Sequence, residues 1–305
     1  MRVAAIDLGT NTTRLLVADV SGDDVEEVVR RTLITRLGEG VDARRRLLPL
    51  PIARVRNCLA EYRRELESLG AERALLVATS AVRDAENGEA FLGEIEWSYG
   101  FTTRLLSGDE EAELTLRGVG ETDGSTLVVD IGGGSTELIG AQPISVDIGA
   151  VRLTERHLPS DPPTDEELEA CAAAVRSVLA HGPRPERAIG VAGTITSLAA
   201  LDLALTEYDP ERVHGHRLSL DGLQRQLSRL AAMPLAERRQ VPALDPERAP
   251  VIVAGAVILH EVLAHFGLEE IEASERDILH GAALEAAALP EPVEGDAPPG
   301  AYTCC

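Results

Sequence analysis

An internal repeat constrains this chain more than any other feature. Asp7-Leu8-Gly9 closes one apolar run and Asp130-Ile131-Gly132-Gly133-Gly134 closes another. At the constant offset of 123 residues from Asp7 to Asp130, Gly9 falls on Gly132, Thr13 on Thr136, Leu15 on Leu138 and Leu16 on Ile139. Acid, glycine, hydroxyl and apolar positions all coincide, so two unrelated hairpins sharing a glycine by chance is the poorer explanation. The offset is one domain length. It implies a duplicated fold whose two halves face each other.

The pattern around each copy fills in that fold. Residues 3–8, 12–20 and 25–35 predict three strands, with Gly9-Thr10-Asn11 and Gly22-Asp23-Asp24 as the turns between them. Apolar residues at Ile52, Val55, Leu59, Tyr62, Leu66 and Leu69 are spaced by three and four, which predicts a helix over 52–69. A strand over 74–79, a helix over 86–99, a strand over 102–106 and a helix over 109–118 complete a βββαβαβα order. Alternating helices and strands after a meander mean an α/β domain. A second meander is expected over 127–131, 136–141 and 144–148. Helices are then expected over 165–179, 220–233, 249–266 and 277–289, with strands over 188–191 and 270–273. The domains are therefore placed at 1–123 and 124–289. Residues 290–305, rich in Pro, Gly and acids, are expected to be a disordered tail.

Charge excludes several function classes. Twenty-nine basic residues against 51 acidic ones leave a net charge of −22, so a body that coats nucleic acid is ruled out. There is no lysine, which excludes Schiff-base chemistry and makes every fixed cation a guanidinium suited to forked phosphate contacts. Four cysteines show no zinc-site spacing and are too few for a disulfide framework. A reduced cytoplasm fits them best. Neither a signal peptide nor a membrane span is expected, because Val251–Leu259, the most apolar later stretch, is broken by His260 and Glu261.

The two glycine turns are the main chemical signal. Backbone N–H groups without Cβ crowding can approach a phosphate, and Thr10, Thr12, Thr13, Ser135 and Thr136 add hydroxyls. An Asp at the end of each strand would bring two carboxylates to the phosphates, where they would repel unless a hard divalent cation lay between them. Magnesium is the ion this implies. Histidines at 214, 216, 260 and 265 lack metal-pair spacing, and no motif marks a covalent nucleophile. Arg44-Arg45-Arg46, with Arg30, Arg31 and Arg36 nearby, could guide a polyanion; the solvated charged face is the favoured reading.

Five motifs taken in order resemble a known family. They are residues 6–11 (Ile-Asp-Leu-Gly-Thr-Asn), 79–83 (Thr-Ser-Ala-Val-Arg), 107–112 (Ser-Gly-Asp-Glu-Glu-Ala), 129–137 (Val-Asp-Ile-Gly-Gly-Gly-Ser-Thr-Glu) and 192–194 (Ala-Gly-Thr). Together they are similar to the motifs of the exopolyphosphatase and guanosine pentaphosphate phosphohydrolase (Ppx-GppA) family, up to about Leu289. The resemblance implies the duplicated actin, hexokinase and Hsp70-like (ribonuclease H-like) α/β fold with an interdomain cleft, in a short two-domain form. It implies Glu111 as the general base that activates water and Asp130 as the metal- and water-positioning acid. Asp7 and Glu137 then stand as further groups around the ion, with a solvated acid on a strand face as the other reading of Glu137. Glu110 is spaced with Ser107 as a capping box, which gives it a structural task. Gly9, Thr10, Asn11, Arg83, Gly132, Gly133, Gly134, Ser135, Thr136, Gly193 and Thr194 are the expected phosphate ligands. The alternative for Arg83 is an ion pair with Asp84. Arg152 is open between substrate contact and interdomain pairing.

The expected activity is a magnesium-dependent exopolyphosphatase releasing terminal phosphate from inorganic polyphosphate. Hydrolysis of guanosine pentaphosphate, a non-catalytic polyphosphate or nucleotide sensor, and a kinase of the same superfold are the alternatives. Neither nucleic acid nor membrane is an expected partner, and a homodimer is left open. Longer family members add a helical C-terminal region, so this chain is expected to prefer short polyphosphates.

Overall fold

The computed structural model describes residues 1–290 except 121, 142 and 180–183, so all but the first residue of the expected tail, with Cys304 and Cys305, lies outside the described residues. The described chain divides into two compact units, one of residues 1–119 joined by the segment that begins at Ile278, the other Gly120–Asp277.

In the first unit β1 (Arg2–Leu8), β2 (Thr12–Ser21), β3 (Asp24–Ile34), β4 (Arg73–Ala78) and β5 (Thr102–Leu105) form a sheet in the order β3-β2-β1-β4-β5. The meander strands pair antiparallel, and β4 and β5 pair parallel. Both faces of β1 are covered, which is why it reads as an unbroken apolar run rather than an alternation. Ala4, Ile6 and Leu8 pack with Leu59 and Tyr62 of the helix Pro49–Ser68. Val3 and Ala5 pack on the other side with Leu114 of the helix Gly108–Val119 and with Ile278 and Leu279.

Those last contacts change the expected division. The helix Ile278–Ala288, grouped by sequence order with the second half, packs on the sheet of the first unit. It carries five alanines and a glycine, and small residues let it lie close to its neighbours. Long-range polar contacts fix it there. Arg73 Nη1 donates to the Ala287 carbonyl, Arg104 pairs with Glu285, and His280 Nε2 lies 3.0 Å from Glu27 Oε1.

The second unit repeats the plan. Its strands are β6 (Thr126–Ile131), β7 (Thr136–Ile139), β8 (Ile144–Val146), β9 (Arg187–Val191), β10 (Arg217–Ser219) and β11 (Glu270–Ala273), in the order β10-β11-β9-β6-β7-β8. Without the edge strand β10, this is the order of the first sheet. The expected duplicated α/β architecture is the observed one. At three residues β10 is too short to show an alternation in the sequence. The helices Ala150–His157 and Ala192–Asp202 were not among those expected from periodicity. Ala192–Asp202 is buried along nearly its whole length, so no polar face marks its period. Thr164 and Glu167 form a capping box that starts the helix Asp165–Val178 where expected. No helix among the described residues is long and apolar enough to cross a membrane.

Candidate functional site

The two glycine turns are built alike. Gly9 N–H donates to the Thr12 carbonyl at 3.0 Å, and Gly132 N–H donates to the Ser135 carbonyl at 3.0 Å, the same bond 123 residues on. These two amides are therefore occupied. The amides of Thr10 and Asn11, and of Gly133 and Gly134, have no hydrogen-bond partner among the described residues. Each turn thus presents consecutive N–H groups, as a phosphate cradle requires.

What stands behind the turns differs. Asp7 is buried, and its Oδ2 accepts from Arg14 Nε at 2.8 Å and Nη2 at 2.6 Å across the β1–β2 pair. The guanidinium is forked onto that one oxygen, a charge-assisted pair. Asp7, expected to stand near a metal, is the ion-pair partner of Arg14 across this strand pair. In the second unit the register sets Asp130 opposite Glu137. Directly opposed residues share a face of the sheet, and both are buried, Glu137 completely. Glu137 is thus no solvated strand acid. Its Oε1 accepts from Ser145 Oγ at 2.9 Å.

Arg83 and Glu111 come together in the first unit. Arg83 Nη1 donates to the Leu106 carbonyl at 2.7 Å and to Glu111 Oε2 at 3.3 Å, so Arg83 pairs with Glu111, and it is Arg45 that lies 4.0 Å from Asp84. Glu111 is buried in the first turn of Gly108–Val119. Its neighbour Glu110 is half-exposed and occupied. Glu110 Oε2 accepts from the Ser107 amide at 2.8 Å, its own amide donates to Ser107 Oγ at 3.2 Å, and Arg104 Nη2 donates to Oε1 at 2.6 Å. The Ser107 amide, followed by Arg104 and the Ser107 hydroxyl, lowers the Glu110 carboxyl to about 2.

Three hydroxyls among the expected phosphate ligands are committed within the protein. Thr136 Oγ1 donates to the Ile148 carbonyl at 2.5 Å, Thr194 Oγ1 to the Ile131 carbonyl at 3.4 Å, and Thr10 Oγ1 lies 2.8 Å from Ser80 Oγ. These hydroxyls thus serve the protein's own framework. Arg152 is tied to the second glycine turn. Its Nε donates to the Gly134 carbonyl at 2.7 Å, while the amides of Ala150, Val151 and Arg152 donate to the Gly132 and Gly133 carbonyls. A Cβ on Gly149 would collide with the Gly133 backbone, so glycine is what lets this helix reach the turn.

At the end of β9, Ala192 takes φ 64° and opens the helix Ala192–Asp202, which has no side-chain cap. Uncapped amides at a helix N-terminus attract anions. A Cβ on Gly193 would run into the Arg248 guanidinium, so Arg248 lies directly over this start. Sequence reasoning missed Arg248, which belongs to no local motif, and Arg14. The repeat could have revealed Arg14, since it stands 123 residues before Glu137.

The model of the Ppx/GppA phosphatase family matches residues 16–288. The chain belongs to this family. Exopolyphosphatase 2 of Mycobacterium tuberculosis is 40% identical, over 94% of this chain and 98% of its own. Guanosine-5'-triphosphate,3'-diphosphate pyrophosphatase of Aeromonas hydrophila is 28% identical, over 88% of this chain and 56% of its own. The crystal structure of the Aquifex aeolicus Ppx/GppA family member superposes with a TM-score of 0.77 at 30% identity, covering 94% of this chain and 98% of that one. The family resemblance carried by the five motifs is thereby established.

Proposed function

We propose that this Ppx/GppA protein hydrolyses phosphoanhydride bonds, releasing the terminal phosphate of inorganic polyphosphate. The observation that carries the reading is the pair of matched turns with unengaged amides, accompanied by a buried Glu111 fixed by Arg83. The turn amides hold phosphate oxygens, Arg248 adds a cation at the start of Ala192–Asp202, and Glu111 takes the proton of the attacking water. Positioning and electrostatics of this kind are the main resources of phosphoryl transfer.

Magnesium fits the second hairpin. Among the described residues no group of three or more His, Cys, Asp or Glu could hold a metal ion. Magnesium is commonly held by only one or two carboxylates with substrate phosphates and water completing its shell, and buried Asp130 and Glu137 on one sheet face would supply those two. Bound there, the ion would neutralise phosphate charge. The name of the Aeromonas relative supports guanosine pentaphosphate as a second substrate.

The test is phosphate release from polyphosphates of several lengths and from guanosine pentaphosphate, with magnesium and with chelator. Release should require the ion and fall roughly 10²–10⁴-fold in Glu111→Gln, the usual share of a general base. No release from either substrate would overturn the reading, and full activity in chelator would remove the metal from it.

A further inference from the structure

Three of the chain's basic groups stand together at Arg44, Arg45 and Arg46, and the segment that carries them is fixed at both ends. At its start the amides of Thr35 and Arg36 donate to the Asn11 carbonyl at 3.1 and 3.0 Å, and that of Gly38 donates to the Thr10 carbonyl at 2.8 Å. The segment is thus tied to the first glycine turn. At its other end Asn87 acts as a backbone partner. Its Oδ1 accepts from the Leu47 amide at 2.8 Å and its Nδ2 donates to the Leu47 carbonyl at 3.1 Å, while the Glu86 amide donates to the Arg45 carbonyl at 2.8 Å. Val41 and Leu47 are buried on either side, and the three arginines between them are exposed. The segment therefore runs from one phosphate-cradling turn to the residues that follow Arg83.

Its charges are arranged for a guest. Arg31, Arg54, Arg56 and Arg63 of the same unit each lie within 2.7 Å of a glutamate. Arg45 is only within 4.0 Å of Asp84, and neither Arg44 nor Arg46 has a carboxylate partner among the described residues. Of the acids on the segment, Glu39 is held by Arg54 at 2.7 Å. Arg45 also takes φ 51°, where glycine sits with less strain, so a bulky cation occupies a position that geometry would give to a small residue.

We propose that Arg44 and Arg46, steadied by Arg45, form an accessory site for phosphates beyond the one being cleaved. The proposal rests on the phosphohydrolase reading above and extends its substrate to one carrying distal phosphates. Guanidinium forks suit such groups. They come either from the tail of a linear polyphosphate or from the 3'-diphosphate of a guanosine nucleotide. Because the strip is short, its gain saturates after the first few phosphates.

Binding is measured in Glu111→Gln, which suppresses turnover, with tripolyphosphate, long polyphosphate and guanosine pentaphosphate as ligands. Adding Arg44→Gln and Arg46→Gln should weaken one or both of the latter two by roughly five- to tenfold more than tripolyphosphate, with a flatter salt dependence. The ligand affected identifies the source. Adding Arg225→Gln and Arg229→Gln instead, on the exposed face of Leu220–Ala231, removes the same charge elsewhere and should leave affinities unchanged. Equal weakening of all three ligands, the same loss in the control pair, or no loss at all would overturn the strip. If no ligand binds and the unmodified protein releases no phosphate, the phosphohydrolase reading falls with it.

Discussion

The hairpin β1–β2 and the hairpin β6–β7 share their turn bond, their strand pairing and their place in the sheet, yet they hold opposite charge balances. Across β1–β2, Asp7 meets Arg14 and is neutralised within the protein. Across β6–β7, the equivalent positions set Asp130 opposite Glu137. A duplicated backbone thus sets an acid opposite a guanidinium in one hairpin and two acids opposite each other in the other. Carboxylates set opposite each other disfavour each other's ionisation, and a nearby cation favours it. Under the function proposed above, that difference, rather than the glycine turns, is what assigns the ion to the second hairpin.

Substituting the two aspartates tests this contrast most strongly. Asp130→Asn should lower kcat/KM by roughly 10²–10³-fold, because an amide is a poor ligand for a hard cation. Its stability in urea should hold or rise, since the substitution relieves repulsion between like charges. Asp7→Asn should do the reverse. It strands a largely buried Arg14 and should cost about 2 kcal/mol of stability, below the full value for a buried pair because Arg14 keeps some solvent contact. Combining it with Arg14→Gln should recover part of that loss. The contrast breaks if Asp7→Asn removes as much turnover as Asp130→Asn, or if both lose stability equally.

Similarity between the halves was legible in the sequence, and their difference was not. Aspartate, glycine, hydroxyl and apolar positions align because both hairpins need the same turn and the same buried strand. Arg14 and Glu137 occupy matching positions but are chemically unlike, so a comparison that looks for likeness passes over them. The capping role of Glu110 could be read because a capping box needs its acid at a fixed spacing from Ser107. Arg83 was legible as a residue but not in its contacts, since Leu106 and Glu111 reach it only through the parallel strands. Arg248 and the packing of the expected helix Ile278–Ala288 on the first unit lay beyond reach for the same reason on a larger scale. Gly193 lies 55 residues before Arg248, and the helix finds its partners at Glu27, Arg73 and Arg104.

The same contrast between an occupied acid and a poised one recurs between adjacent residues, with the smallest expected effect. Glu110 is held ionised by the Ser107 amide first, then by Arg104 and the Ser107 hydroxyl, with its carboxyl lowered from 4.5 to about 2. The folded state therefore binds its ionised form more tightly than the unfolded chain does. The stabilisation is complete above the unfolded value and is lost as pH falls through about 2. The side chain is 39% exposed, so solvent screens the Arg104 pair. Glutamine at this position can still cap the helix, which leaves about 0.5 kcal/mol as the cost of Glu110→Gln at neutral pH. Urea midpoints of the two proteins should converge as pH drops from neutrality through the acid range. Turnover of Glu110→Gln should stay close to that of the unmodified protein while Glu111→Gln is severely impaired. Equal losses of turnover would mean that burial and the Arg83 contact do not distinguish the two glutamates, and the general base would have to be reassigned.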